Sequence, residues 1–263
     1  MSHTRKYGIC PVSCLPLRAA PDEKSEMVSM LLFGELFEVR KTEHGWYQVC
    51  TEYDGYCGWL SGSVVHFISG EEYTCHAAEC KTLIKPEFII PEEYPDCPFM
   101  ILPGSSLPPF SGNSFILAGK IFRHGGTLVI NEGKVNPLLQ VTETALMFLN
   151  APYLWGGRSL FGVDCSGFVQ VVFKTAGIRL PRDASQQAHM GEPISFREAR
   201  SGDIAFFGPS PEKITHTGIF LGPGRFIHAS GKVRIDSIDE KGIFSEETKQ
   251  NTHTLQLTKR LIF

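Results

Sequence analysis

The chain has 263 residues, of which 42% are hydrophobic and 20% charged, with a net charge of −3. That length suits two or three small domains, each with its own core, and the near-neutral charge gives no basic surface for nucleic acid or an anionic membrane. No run approaches the ~18 apolar residues of a membrane span, and the stretch from Met1 to Tyr7 has no apolar leader core, so the expected compartment is cytoplasmic, or periplasmic if an export signal precedes this stretch. Of the eight cysteines, the pairs Cys10–Cys14, Cys50–Cys57 and Cys75–Cys80 give no C-x-x-C spacing. No metal site and no cofactor are therefore expected. The thiols are expected to be mostly free, since a disulfide set requires an exported protein.

Residues 1–70 read as short strands separated by turn signals. Leu31 to Phe33 precedes Gly34, Leu36 to Val39 follows it, Trp46 to Val49 follows Gly45, and Gly55 to Leu60 and Val64–Val65 complete the set. Many short strands at this spacing predict a small barrel. Leu17-Arg18-Ala19-Ala20-Pro21, the turn Phe33-Gly34-Glu35, Gly45-Trp46-Tyr47-Gln48-Val49 and Gly58-Trp59-Leu60 resemble a bacterial SH3 domain. Trp46 and Trp59 read as core, and Tyr56, in a glycine-rich turn, as exposed. Residues 71–135 are less regular: a helix or loop from Glu71 to Lys81, a proline-rich stretch from Pro86 to Pro109, and strands at Phe99–Leu102, Phe115–Ala118 and Thr127–Ile130. They read as a divergent second SH3-type domain or a spacer.

Residues 136–263 carry the chemistry. Asn136-Pro137 opens a helix to about Leu149, with Leu138, Val141, Ala145 and Phe148 on one side. After the Gly156-Gly157 turn comes Asp164-Cys165-Ser166-Gly167-Phe168, which starts a second helix. Asp164 is a good N-cap, Phe168, Val171, Val172 and Thr175 fall on one apolar face, and Gly177 suits the C-terminus. A thiol at a helix N-terminus meets outward N–H groups and a positive dipole, both of which favour thiolate. Downstream, strands are predicted at Asp203–Phe207, Thr215–Leu221, Phe226–His228 and Thr254–Leu257. Two of them bring one histidine each, His216 and His228. A cysteine nucleophile needs a base, and the base needs a third group to fix its ring. Cys165, His216 and His228 supply those three parts.

Ala151-Pro152-Tyr153-Leu154-Trp155-Gly156-Gly157, Asp164 to Phe168, Leu180-Pro181-Arg182-Asp183, Gly202 to Phe207 and His216-Thr217-Gly218-Ile219 together resemble the successive motifs of NlpC-type cell-wall cysteine peptidases. The resemblance implies an α+β chain: a papain-like catalytic domain over 136–263, with the helix-borne cysteine packed on an antiparallel sheet, preceded by one or two SH3-type barrels. The Arg-Asp pair and the upstream domains narrow it to γ-D-glutamyl-L-diamino acid endopeptidases, which cut murein peptides with a free N-terminal L-alanine and serve murein peptide recycling. It further implies Tyr153 as an oxyanion donor beside the Cys165 N–H, Asp183 and Ser185 near the substrate ammonium, and Asp164 and Ser166 lining the groove. Ala184 stands where relatives often have serine directly after the aspartate. Tyr56 and Glu26 are the candidates by which the first domain would wall off the groove. The same fold and triad also serve N-acetylmuramoyl-L-alanine amidases and acyltransferases, and a non-catalytic wall-peptide binding protein is the remaining alternative.

Overall fold

Left-handed turns at Gly34 and Gly45 (φ 75° and 81°) punctuate the first strands, as their sequence spacing predicts. The structure, a computed structural model, describes residues 5–133, 136–245 and 248–262. Residues 1–4, on which part of the N-terminal reading rests, lie outside the described residues. The chain divides into two compact units between Glu132 and Gly133.

In the first unit, β1 (Lys6–Ile9), β2 (Cys14–Arg18), β3 (Met27–Leu32), β4 (Leu36–Glu43), β5 (Trp46–Thr51), β6 (Cys57–Ser61) and β7 (His66–Ile68) form one antiparallel sheet in the order β3-β2-β6-β5-β4-β1-β7. Its core gathers Leu15, Leu17, Leu31, Phe37, Val49 and Leu60. Trp59 is buried as expected, whereas Trp46 is only half-buried. Val64 ends a turn, Val65 lies outside any element, and the strand begins at His66. Cys50 and Cys57 stand opposite each other across β5 and β6 and are joined in a disulfide; the other six cysteines form none. The expectation of free thiols therefore fails at this one pair, where strand register places the two residues face to face.

Tyr56 lies in the turn between β5 and β6. It is half-buried rather than exposed, and its N–H donates to Asp54 Oδ1 at 3.0 Å. Glu26 is exposed in the turn between β2 and β3, where its carbonyl accepts from Ala19 N–H at 2.9 Å.

The region after β7 resolves as a helix followed by small sheets. α1 (Gly70–Glu79) starts with a capping box: Ser69 Oγ accepts from Glu72 N at 3.1 Å, and Glu72 Oε2 accepts from Ser69 N at 2.8 Å. Then come β8 (Lys81–Thr82), β9 (Glu87–Pro91), β10 (Phe99–Ile101), β11 (Ser106–Leu107), β12 (Ser114–Leu117) and β13 (Lys120–His124). Four of them make a sheet in the order β10-β9-β13-β12, and β8 pairs with β11. Thr127–Ile130 is not a strand; Ile130 makes an isolated bridge to Leu83. One cluster combines Ile9, Phe33 and Leu36 with Leu83, Ile89, Ile101, Phe115 and Phe122. The segment thus shares its core with the first sheet, and Phe33 packs edge-on against Phe122 at 5.5 Å.

In the second unit, α2 (Pro137–Met147) is capped by Asn136, whose Oδ1 accepts from Leu138 N at 2.9 Å. Pro137 fits the first turn, where a missing N–H costs nothing. The helix stops two residues short of the predicted Leu149. A hairpin of β14 (Arg158–Ser159) and β15 (Gly162–Val163) leads into α3 (Cys165–Thr175), followed by α4 (Ala184–Gln187). β16 (Glu192–Pro193), β17 (Ile204–Phe207), β18 (His216–Gly222), β19 (Arg225–Ser230), β20 (Lys232–Asp239), β21 (Gly242–Ser245) and β22 (Gln250–Arg260) form an antiparallel sheet in the order β16-β22-β17-β18-β19-β20-β21. Because β21 also pairs with β22, the strands β17 to β22 close into a six-stranded barrel. Ala205, Phe207, Phe220, Phe226, Ile238 and Ile243 form its core. α3 packs on β18 and β19 and against α2, where Phe168 meets Phe148 edge-on at 5.7 Å. Enclosed in this way, α3 is buried along its whole length, not only on the predicted face. Among the described residues no helix is long and apolar enough to cross a membrane.

Candidate active site

Local chemistry at the start of α3 sets the position of Cys165. Asp164 Oδ1 accepts from Gly167 N at 2.7 Å and Oδ2 from Gly156 N at 2.9 Å, so one carboxylate ties the helix start to the glycine loop. A Cβ on Gly167 would lie 2.2 Å from the Gly157 carbonyl oxygen, so the close approach of loop and helix requires glycine there. Arg182 reaches into the same network. Its Nη1 donates to Asp164 Oδ1 at 3.0 Å and to Ser166 Oγ at 2.9 Å, and its Nη2 pairs with Asp164 Oδ2. Arg182 is 2% exposed, so this is a buried ion pair that spans the helix start and the loop after Pro181. Asp164 and Ser166 are committed to this network.

Behind the cysteine, a line of polar side chains crosses three strands. His216 Nε2 lies 2.8 Å from His228 Nδ1, and His228 Nε2 lies 3.1 Å from Asp236 Oδ2. Asp236 forms an ion pair with Arg234, whose Nη2 also donates to Ser245 Oγ at 2.9 Å. Burial alone would raise the Asp236 pKa, but hydrogen bonds from His228 and Arg234 outweigh it and hold the group below the ordinary value, as carboxylate. The proton positions follow from the network. An ionised Asp236 accepts, so neutral His228 carries its proton on Nε2 and presents a bare Nδ1. His216 must then donate from Nε2, which leaves its own Nδ1 bare to take a proton from a thiol. Gly218 makes room for this stack, since a Cβ there would sit 2.7 Å from His228 Cβ.

Cys165, His216 and Tyr153 line one cavity of about 260 Å³, together with Thr215, Ser230 and His253. Burial raises the Cys165 pKa to about 11, with Asp164 adding to the rise; N–H groups at Thr217 and Ser166 and the Arg182 charge pull the other way without prevailing. Burial likewise holds His216 well below the ordinary histidine range, helped by His228 and His253. The resting pair is therefore thiol and imidazole. Desolvation thus opposes the dipole effect that favours thiolate at the helix N-terminus. Burial, reinforced by Cys165 and Asp164, pushes Tyr153 up to about 12, so its phenol keeps its proton and can donate.

The structure brings Tyr153, Cys165 and His216 to one cavity and sets His228 directly behind His216. Asp183 lies just before α4, half-buried, with its N–H donating to Gln186 Oε1 at 3.2 Å, and Ser185 is exposed on α4. Neither lines that cavity. Tyr56 and Glu26 belong to the first unit. Three residues of the network were not read from the sequence: Asp236, Arg182 as the partner of Asp164, and His253, whose ring stacks on His216 with centroids 4.1 Å apart. Alternation along β20 was the available signal for Asp236; Arg182 and His253 had no local one.

The histidine and cysteine shifts have opposite consequences for stability. His216 and His228 sit below 6.5, and His253, desolvated by burial, is at about 4. The unfolded chain therefore binds more protons than the folded one just below pH 6.5, and stability falls as pH drops through 6.5 toward 4. Cys165 ionises at 9.0 when unfolded and at about 11 when folded, so stability also falls as pH rises from 9 toward 11. Urea midpoints should be highest between these limits and lower at about pH 5 and about pH 10; a midpoint that rises on acidification would contradict neutral, buried histidines.

Residues 150–252 match the NlpC/P60 family and residues 17–63 match the bacterial dipeptidyl-peptidase SH3 domain. A gamma-D-glutamyl-L-lysine dipeptidyl-peptidase of Bacillus subtilis (strain 168) is 42% identical over 91 residues, which cover 34% of this chain and 31% of that protein. A protein of the same name from Bacillus cereus is 36% identical over 109 residues, covering 40% and 33%. The matched stretch thus spans about a third of the length of these curated relatives. A crystal structure of an NlpC/P60 family protein from Bacillus cereus superposes with a TM-score of 0.82 at 20% identity, over 98% of this chain and 100% of that one, and so shares the fold.

Proposed function

We propose that this chain, which carries an NlpC/P60 domain behind a bacterial dipeptidyl-peptidase SH3 domain, is a cysteine endopeptidase of murein peptides. It hydrolyses the γ-D-glutamyl-L-diamino acid bond next to a free N-terminal L-alanine. The observation that carries the reading is the relay Asp236–His228–His216, whose end residue lines the cavity that holds Cys165. The names of the relatives support the substrate class.

Cys165 Sγ attacks the γ-carbonyl carbon while its proton passes to His216 Nδ1. Tyr153 and the Cys165 N–H donate to the oxyanion. The imidazolium gives its proton to the leaving nitrogen, and the thioester forms as the C–N bond breaks. Water then enters, loses a proton to His216, attacks the thioester and releases the acid and the thiol. Asp183 supplies the carboxylate for the substrate ammonium. A peptidase that requires this ammonium acts on fragments already released from the wall, which suits peptide recycling.

Mass spectrometry of the full chain incubated with L-Ala-γ-D-Glu-diaminopimelate and with its N-acetylated form tests this. Cleavage of the free peptide alone, lost in Cys165→Ala, is expected. Equal cleavage of both would remove the amine requirement but keep the thiol chemistry, and cleavage of neither would overturn the reading in favour of amidase, acyltransferase or binding activity.

A further inference from the structure

The amino component that leaves Cys165 must pass over His216, because His216 gives the leaving nitrogen its proton and a general acid acts only within hydrogen-bond reach. The space on that side of the site therefore decides which leaving groups are accepted. His253 stacks on His216 at 4.1 Å and forms a wall of the catalytic cavity. It also borders a second cavity of about 400 Å³, lined by Glu240, Lys241, Asn251 and Thr252.

The second cavity is polar and its walls are fixed. The turn between β20 and β21 is held by Asp239 Oδ1, which accepts from Lys241 N at 2.8 Å, and by Lys241 O, which accepts from Leu255 N at 3.1 Å. The Glu240 carboxylate is paired with Arg197 at 2.9 Å. The Thr252 hydroxyl is engaged, donating to Ile243 O at 3.4 Å and meeting His253 Nδ1 at 2.9 Å. With Glu240 offset by Arg197, the Lys241 ammonium and the Asn251 amide are the groups this cavity offers an anion among the described residues. A cation beside a neutral hydrogen-bonding group fits a carboxylate. An amino acid released from a γ-glutamyl bond carries such a carboxylate one carbon from the scissile nitrogen.

We propose that the cavity beyond His253 is the subsite for the leaving amino acid, with Lys241 receiving its carboxylate. The proposal rests on the peptidase reading above and adds the residues that select the departing half of the substrate. Lys241 acts in recognition; it makes no contact with the reacting thiol.

The test uses the full chain and two substrates that differ only at this point: L-Ala-γ-D-Glu-diaminopimelate and the form whose carboxylate beside the scissile nitrogen is a carboxamide. The readout is the ratio of their kcat/KM values by mass spectrometry. The wild type is expected to favour the free carboxylate about fivefold, the scale of one partly solvated charge pair. Lys241→Glu should bring the ratio to one or reverse it, chiefly through KM, and Lys241→Arg should keep it. Lys241 is exposed in a turn, so both variants retain the core packing. A ratio near one in the wild type, or one unmoved by Lys241→Glu, overturns the subsite while the peptidase reading stands. Cleavage of neither substrate by the wild type overturns both.

Discussion

Asp236→Ala is expected to lower kcat about 10²- to 10⁴-fold with little change in KM, the scale seen when the group that fixes a catalytic histidine is lost. Asp236 touches neither thiol nor cavity; it acts through proton placement. Its carboxylate holds the His228 proton on Nε2, and this in turn obliges His216 to carry its proton on Nε2. Without Asp236, His228 is free to carry the proton on Nδ1. Two N–H groups would then face each other at 2.8 Å, and His216 would turn or change tautomer. Its Nδ1 would no longer be a base. Asp236→Asn separates this role from bulk structure, because the amide oxygen can still accept from His228 Nε2. Steady-state kinetics of the two variants, with circular dichroism as the folding control, checks the ordering wild type, then Asn, then Ala. Full activity in Asp236→Ala would show that His228 orients His216 unaided.

Arg182→Ala should cost the second unit about 3–5 kcal/mol, because it leaves the Asp164 carboxylate buried without its cation. Asp164 is 6% exposed and Arg182 2%. The remaining partners of Asp164, the N–H groups of Gly156 and Gly167 and the Ser166 hydroxyl, stabilise the anion only in part. The loss falls at the turn that holds Cys165, so activity should decline together with the urea midpoint. Arg182→Lys should recover only part, since one ammonium cannot reproduce a guanidinium that reaches Asp164 Oδ1, Asp164 Oδ2 and Ser166 Oγ together. A midpoint unchanged in Arg182→Ala would mean that water reaches the carboxylate.

The parts of the site legible in the sequence are those built by neighbours along the chain. Asp164 as a cap, the glycines around the turn, and a helix opening at Cys165 all follow from residues within about one helical turn. The two histidine strands were legible from apolar flanks and turns. What escaped depends on pairing between distant segments. Asp236 reaches His228 only because β19 and β20 align Phe226 with Asp236, and His253 reaches His216 only because β22 returns to complete the barrel. Arg182 lies 18 residues from Asp164, beyond α3 and in the aperiodic stretch that follows it. The same limit explains the small elements. Thr127–Ile130 has strand-like residues but only one bridging partner, whereas Lys120–His124 has polar ends and pairs with two strands. At Cys165 the sequence showed the helix dipole but not the depth of burial that opposes it.

Barrel closure has a consequence for the fidelity of catalysis. In an open sheet one strand can slide by a residue against its neighbour, and such a slip turns every side chain to the opposite face. In the ring of β17 to β22 each strand is paired on both sides, so a slip at one seam requires a compensating slip at another. His216, His228 and Asp236 ride on three successive staves of that ring. Their alignment is thus protected by topology as well as by hydrogen bonds, and errors of register during folding carry a penalty shared around the whole circumference.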